Sequence, residues 1–175
     1  MKVAKPFEYG NRELSPTDTL PGYERAEMKL KVTGTIFKAE STTPAAGVIL
    51  HIYHTNQKGI YPTRGDEKGW ARRHGYIRGW MKTGTDGKYT FYTLKPASYP
   101  SRTAPAHIHP IILEADGRYY WISEYLFDYD PLVTSEVRSQ DRDRGGKGIV
   151  MLRKEGELLI AKRDIVLGKN VPGYN

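Results

Sequence analysis

The 175-residue sequence predicts an all-β fold: one β-sandwich domain of about eight strands with long loops. Three observations predict it. The chain holds 13 Tyr, 18 Gly and 11 Pro but no sustained 3.6-residue periodicity. Its apolar residues fall in short runs with period-two alternation, rich in β-branched and aromatic types. Asp-Gly pairs at Asp86-Gly87 and Asp116-Gly117 punctuate those runs as hairpin turns do. A chain of this length suits a single domain with a full hydrophobic core.

Residues 1–27, with Pro6, Gly10, Pro16, Pro21 and Gly22, read as an extended N-terminal arm that precedes a sandwich over residues 28–175. Leu30 to Ile36 alternates, with Leu30, Val32 and Ile36 on one face. Gly47 to His54 is the second strand. Thr63 to Gly75 is a charged loop, long for a compact sandwich, and such loops are often functional. Tyr76 to Thr83 and Tyr89 to Leu94 flank the Asp86-Gly87 turn as a hairpin. Pro105-Ala106-His107-Ile108-His109-Pro110 runs into Ile111-Ile112-Leu113 as the next strand, and Tyr119 to Phe127 follows the Asp116-Gly117 turn. Thr134 to Arg144 holds room for a short helix capped by Thr134 or Ser135. Gly148 to Leu152 and Leu158 to Leu167 are expected to close the chain as a hairpin around Glu155-Gly156.

Composition excludes several functions. The formal charge is +7, but the basic residues are dispersed rather than gathered in a stripe with stacking aromatics. A nucleic-acid surface is therefore not expected, and a solvated, weakly steering surface is. With no cysteine, disulfides, thiolate zinc sites and a cysteine nucleophile are ruled out. No apolar run reaches transmembrane length. Met1-Lys2-Val3-Ala4-Lys5 leads into no apolar segment, so the sequence shows no signal peptide and the cytoplasm is the default expectation.

His107 and His109 carry the first chemical signal. At i and i+2 on a strand they face the same side, about 6.6 Å apart along the chain. Two imidazoles so placed can meet one metal ion; they can equally form a half-buried polar pair. His51 and His54, three apart, face opposite sides and cannot chelate in the same way. Tyr61, between Gly59 and Pro62, and Tyr99, before Pro100, stand beside turns, where tyrosine is common for reasons of packing as well.

Four segments in order change the weighting: Gly59-Ile60-Tyr61, Thr83-Gly84-Thr85-Asp86-Gly87-Lys88-Tyr89-Thr90-Phe91, Pro96-Ala97-Ser98-Tyr99-Pro100 and Pro105-Ala106-His107-Ile108-His109. Together they resemble the intradiol ring-cleavage dioxygenases (catechol, protocatechuate and hydroxyquinol dioxygenases), whose pattern is G-x-Y, T-D-x-D-G-x-Y-x-F, P-x-x-Y-P and P-x-H-x-H. The resemblance spans Leu30 to Pro131 and is to the catalytic sandwich without a helical dimerisation segment. It implies one non-haem Fe(III), with Tyr61 and His107 as equatorial ligands and Tyr99 and His109 as axial ligands. The implied reaction is O2-dependent cleavage of a catechol-type ring between its hydroxyls, giving a muconate-type diacid. The implied partners are a small aromatic diol and O2, with no nucleic acid, no membrane span and a homo-oligomer possible.

Gly84 replaces the first aspartate of T-D-x-D-G, Tyr53-His54 stands where the family often shows Trp followed by Gln or His, and two further departures bear on the chemistry. Ala104 stands where an arginine commonly precedes the first ligand histidine by three residues, so Arg102 or Arg78 is the candidate to stabilise charge on the substrate. Glu124 stands where glutamine is common; it adds negative charge near the iron, carries a proton or partners a basic residue. Arg102, Glu124 and Arg78 are thus the candidate catalytic residues. The same departures support an alternative, an iron-binding module of this fold with little or no turnover. Trp70, Arg72 and Arg73 of the long loop are placed by sequence near the entrance.

Overall fold

The structure, a computed structural model, describes residues 7–174. In chain order its strands are β1 (Thr17–Thr19), β2 (Lys29–Phe37), β3 (Ile49–His54), β4 (Arg78–Lys82), β5 (Lys88–Leu94), β6 (His107–Leu113), β7 (Tyr119–Trp121), β8 (Tyr125–Phe127), β9 (Ile149–Val150), β10 (Arg153–Glu155), β11 (Leu158–Lys162) and β12 (Ile165–Val166). Two short helices join them, α1 (Ala71–His74) and α2 (Ser135–Gln140). Thr134 caps α2 as expected, its hydroxyl accepting from the Val137 amide. Among the described residues no helix is long and apolar enough to cross a membrane.

The strands form two six-stranded sheets packed as a sandwich. One runs β1-β5-β2-β11-β10 with β12 also on β2; the other runs β4-β3-β6-β8-β9 with β7 on β6. Alternation decides what each face meets. Leu30, Val32 and Ile36 of β2, Leu50 and Ile52 of β3, and Ile108 and Ile112 of β6 enter one core between the sheets. The residues between them on β3 and β6, Ile49, Tyr53 and Ile111, face outward and join Phe7 and Trp80 in a second apolar cluster. The outer face of the second sheet is therefore covered, not solvated. The antiparallel register sets Tyr53 opposite His109 and His51 opposite Ile111, so both histidines of β6 lie on that covered outer face.

Four elements differ from the sequence expectation. The strands flanking Asp86-Gly87 do not pair as a hairpin: the turn crosses between the sheets, β4 pairing with β3 and β5 with β2, because each strand's core face meets the other sheet rather than its sequence neighbour. The arm is partly built into the sandwich: β1 pairs in parallel with β5, and the Asp18 carboxylate accepts from the Trp80 amide of the other sheet at 3.0 Å. Residues 1–6 of the arm lie outside the described residues. The expected strand from Tyr119 to Phe127 is broken at Ser123, whose hydroxyl bonds the Asp141 carboxylate at 2.6 Å and whose amide bonds the Arg144 carbonyl. Those bonds draw the chain away from β6 and turn the neighbouring Glu124 out of the ladder.

The closing hairpin is also shorter than expected. Only Arg153–Glu155 pairs with β11, while Ile149–Val150 pairs in parallel with β8 in the opposite sheet. Met151 and Leu152 carry the chain across because Val150 is already committed to the core. β11 and β12 separate at Arg163, which is buried with its guanidinium donating to the carbonyls of Ser123, Arg144 and Gly146.

His51 and His54 sit on opposite faces of β3, as their spacing requires. His54 lies in the core, with Nε2 2.7 Å from Thr93 Oγ1, and His51 stacks on Trp80. Burial lowers His51 to about 3 and His54 to about 4, so both stay neutral in the fold. The unfolded chain takes up these two protons near the ordinary 6.5. Their stabilising contribution is therefore full above about pH 6.5 and is lost progressively as pH falls, down to about 4 for His54 and about 3 for His51, by a few kcal/mol in all. Urea unfolding at pH 7.5, 6 and 4.5 is expected to show a midpoint that drops at each step, and His54→Gln to flatten the profile; a profile already flat in the wild type refutes two neutral buried imidazoles.

Candidate metal centre

Two loops meet over the outward histidines of β6. The turn after β3 is organised by Asn56, whose side-chain oxygen accepts from the Lys58 and Ile60 amides. The same turn is stitched to the loop before β6: Thr55 Oγ1 donates to the Ala97 carbonyl at 2.8 Å, and the Ala97 amide bonds the Asn56 carbonyl. Gly59 completes the join. Its φ is +74°, and a Cβ there would lie 1.9 Å from the Ser98 carbonyl oxygen. Only glycine lets these two backbones approach so closely, and that approach brings Tyr61 and Tyr99 together.

The four sequence-selected residues converge. Tyr61 Oη lies 2.8 Å from Tyr99 Oη and 2.8 Å from His109 Nε2. Tyr99 Oη lies 3.1 Å from His107 Nε2, and the two Nε2 atoms are 3.0 Å apart. The outer nitrogens fix the tautomers. His107 Nδ1 meets the Pro105 carbonyl at 2.7 Å and His109 Nδ1 meets the Glu124 carboxylate at 2.8 Å. Both partners only accept, so both Nδ1 atoms carry protons and both Nε2 atoms present lone pairs inward.

This arrangement is short of protons. Two phenol hydrogens are shared among four contacts, and two imidazole lone pairs face each other at 3.0 Å. A shared cation resolves that repulsion. Adjacent ligands about 2.1 Å from one first-row ion lie about 3 Å apart, which is the spacing of these donors. Burial, then the hydrogen bond and charge of Tyr99, push the Tyr61 phenol far above its ordinary value, so a strongly charged ion is needed to hold it as phenolate. Two phenolates are hard donors that suit a ferric ion; zinc sites draw on His, Cys and carboxylate instead.

His107 is lowered by burial and by His109. Burial raises Glu124, but the hydrogen bond from His109 and the electrostatic effect of His109 and His107 outweigh it and leave the carboxyl below its usual range. The ligand atoms of His107, His109 and Glu124 fall within 4.8 Å of one another. Glu124 reaches His109 at Nδ1, on the ring edge away from the other three donors, and so backs the ring rather than joining the donor set.

The remaining candidates lie further out. Arg78 is paired with Glu8 at 3.2 Å and lies over Trp80, in the wall of a cavity of about 700 Å³. Arg102 is exposed, with φ 52°, and lines a separate cavity of about 610 Å³ with Lys58, Lys95 and Tyr99. Among the described residues no arginine side chain hydrogen-bonds to any of the four donor residues. Trp70 packs on His74, while Arg72 and Arg73 are exposed.

Sequence reasoning passed over Tyr53 and His74. Tyr53 stacks on His109 at 4.6 Å, and His74 of α1 stacks on the other side of Tyr53 at 3.7 Å. Burial, then the Glu124 charge, pushes Tyr53 up to about 12; burial, then His109, lowers His74 to about 4. The alternation of β3 marks Tyr53 as outward, but only the β3–β6 register shows that it meets His109.

This β-sandwich gathers two tyrosines and two histidines over one sheet face, a set of oxygen and nitrogen donors that could hold one metal ion. Comparison with known proteins carries this further. The family model described as Dioxygenase matches residues 11–145. Catechol 1,2-dioxygenase 1 of Acinetobacter lwoffii is 31% identical over 116 residues, 57% of this chain and 36% of that one. The protocatechuate 3,4-dioxygenase beta chain of Burkholderia cepacia is 24% identical over 180 residues, 91% of this chain and 75% of that one. The chain thus spans about a third of the length of the first relative. Among solved structures, the dioxygenase domain of a dioxygenase–carbohydrate-binding fusion from Streptomyces sp. SirexAA-E superposes with TM-score 0.66 at 22% identity, covering 94% of this chain and 96% of that one. The 3-chlorocatechol 1,2-dioxygenase of Rhodococcus opacus 1CP gives TM-score 0.69 at 22% identity, covering 94% and 69%. At that identity the two structures speak for the fold. The chain belongs to the intradiol ring-cleavage dioxygenase family.

Proposed function

We propose that this chain is a non-haem Fe(III)-dependent dioxygenase that cleaves a catechol-type ring between its two hydroxyls with O2, giving a muconate-type diacid. One observation carries the reading: Tyr61, Tyr99, His107 and His109 place two phenol oxygens and two imidazole nitrogens within 2.8–3.1 Å contacts of one another. These four residues would hold a ferric ion, which would supply Lewis acidity towards a bound diol in the reaction with O2.

The chain's own residues supply the rest. Pro105 and Glu124 hold the two imidazoles with Nε2 inward. Tyr61 and Tyr99 are in hydrogen-bond contact at 2.8 Å, so either of them, held as phenolate, would accept one proton that a diol gives up on binding. The cavity of about 610 Å³ beside Tyr99 has room for a single-ring diol. Lys58, Lys95 and Arg102 line it together with Asp130, whose two oxygens already accept from the Ala106 and Leu132 amides. The wall is left net basic, which favours the ionised diol. Arg78, tied to Glu8, lines the separate cavity of about 700 Å³ and does not border this one.

The test combines metal analysis with oxygen uptake over a small panel of catechols. About one iron per chain, a red-to-purple colour from tyrosinate-to-iron charge transfer and ring cleavage are expected. A protein that stays colourless after aerobic reconstitution with iron refutes the site. A second reading, an iron-binding module with little turnover, is favoured by Ala104 and by the lack of an arginine side chain on the donors; iron and colour without oxygen uptake on any catechol would establish it.

Arg102 separates the two. If it stabilises substrate charge, Arg102→Ala lowers turnover about 100- to 1000-fold with iron content unchanged, and Ala104→Arg gains little. Unchanged turnover in Arg102→Ala together with a gain in Ala104→Arg shows instead that no substitute for the missing arginine exists.

A further inference from the structure

We infer that Glu124 is a positioning residue for the metal centre, which fixes the tautomer of His109 and adds a negative charge behind that ligand. The inference rests on the iron site proposed above. The two histidines are backed unequally: His107 Nδ1 meets a neutral backbone carbonyl, whereas His109 Nδ1 meets a carboxylate oxygen at 2.8 Å. An imidazole that donates to a carboxylate is a stronger donor at its other nitrogen than one that donates to a carbonyl. Among the described residues the ion pairs of Glu124 include only the one with His109, so its charge is directed at this ring.

The backbone is built to hold it there. The break between β7 and β8 turns Glu124 out of the ladder, Ser123 is anchored through its hydroxyl to Asp141 and Arg144, and a Cβ on Gly148 would lie 2.2 Å from the Glu124 carbonyl oxygen. The far side of the carboxylate reaches solvent, with 44% of the side chain exposed, so the charge is retained without a second protein partner. Tyr53 fixes the face of the same imidazole by stacking. His109 is thus constrained in rotation by one neighbour and in protonation by another.

Two variants divide the roles. Glu124→Gln keeps an acceptor for Nδ1–H and removes the charge; Glu124→Ala removes both. In the metal-free protein, 15N shifts of His109 are expected to report Nδ1–H in the wild type and in Glu124→Gln, and mixed tautomers in Glu124→Ala. With ferric iron added, Glu124→Gln is expected to bind about 10- to 100-fold more weakly, to raise the Fe(III)/Fe(II) midpoint and to move the charge-transfer band to longer wavelength, because a weaker ligand field of negative charge makes the ion easier to reduce. Unchanged affinity, midpoint and band in Glu124→Gln overturn the charge role, and a single Nδ1–H tautomer in Glu124→Ala overturns the positioning role. A wild type that takes up no iron overturns the proposed function itself; the metal-free tautomer measurement then decides the positioning role by itself.

Discussion

His107→Ala is expected to lose stable iron while the sandwich remains folded, and His109→Ala the same. A four-ligand site of this kind is worth roughly 10–16 kcal/mol in structural zinc peptides, so one ligand accounts for about 3 kcal/mol, or more than 100-fold in affinity. The fold is expected to survive because both side chains lie on the outer face of β6, while Ile108 and Ile112 carry that strand's share of the core. Removing either histidine also relieves the facing lone pairs at 3.0 Å, which offsets part of the packing lost. Metal analysis after dialysis, with circular dichroism as the check on folding, decides the matter. A variant that retains one iron per chain shows that the altered histidine is not a ligand.

Gly59→Ala is the second large effect, and it acts without touching a donor. The added methyl meets the Ser98 carbonyl oxygen at 1.9 Å and must do so with φ at +74°. The left-handed backbone costs about 1–2 kcal/mol for a non-glycine residue, and relieving the overlap about 1–3 kcal/mol more. The sum, roughly 2–5 kcal/mol, lowers the melting temperature by about 4–20 °C in a chain of this size. The overlap can be relieved only by parting the two loops, which pulls Tyr61 Oη away from Tyr99 Oη. Iron affinity is therefore expected to fall along with stability, and the charge-transfer colour to weaken. Gly156→Ala is the control: its φ is also positive, at +60°, but no atom lies within 4 Å of the added Cβ, so it is expected to lose some stability and keep the colour. Equal iron affinity in Gly59→Ala and wild type would show that the contact between the loops does not set the tyrosine spacing.

These two results probe different layers of what was readable in the chain. Period-two alternation is a local property, so the strand faces were legible: Leu30, Val32 and Ile36 enter the core, His107 and His109 share a side, and His51 and His54 do not. The turn at Asp86-Gly87 was legible, its glycine taking φ +66°, but the hairpin expected around it does not form, because β4 pairs with β3 in one sheet and β5 with β2 in the other. The motif resemblance selected Tyr61 and Tyr99 by residue type and order. Local pattern failed where long-range bonds redirect the backbone. Ser123, tied to Asp141 and Arg144, breaks an apparently continuous strand, and Arg163, buried under three carbonyls, splits another.

The sequence by itself determined the all-β class and the shared face of the two histidines, and its motif resemblance grouped Tyr61, Tyr99, His107 and His109 as candidate donors. Tertiary structure alone decided that those donors meet. Tyr61 is 38 residues from Tyr99 and 48 from His109, and their contact follows from the closeness of Gly59 to Ser98 and from the β3–β6 register. It alone decided that Glu124 backs His109, that Tyr53 covers the same ring, and that Arg78 is occupied with Glu8. The physical reason is one of range. Alternation sets the face on which a side chain stands, whereas strand register and loop closure, summed over the whole chain, set which faces and which loops come within hydrogen-bond distance.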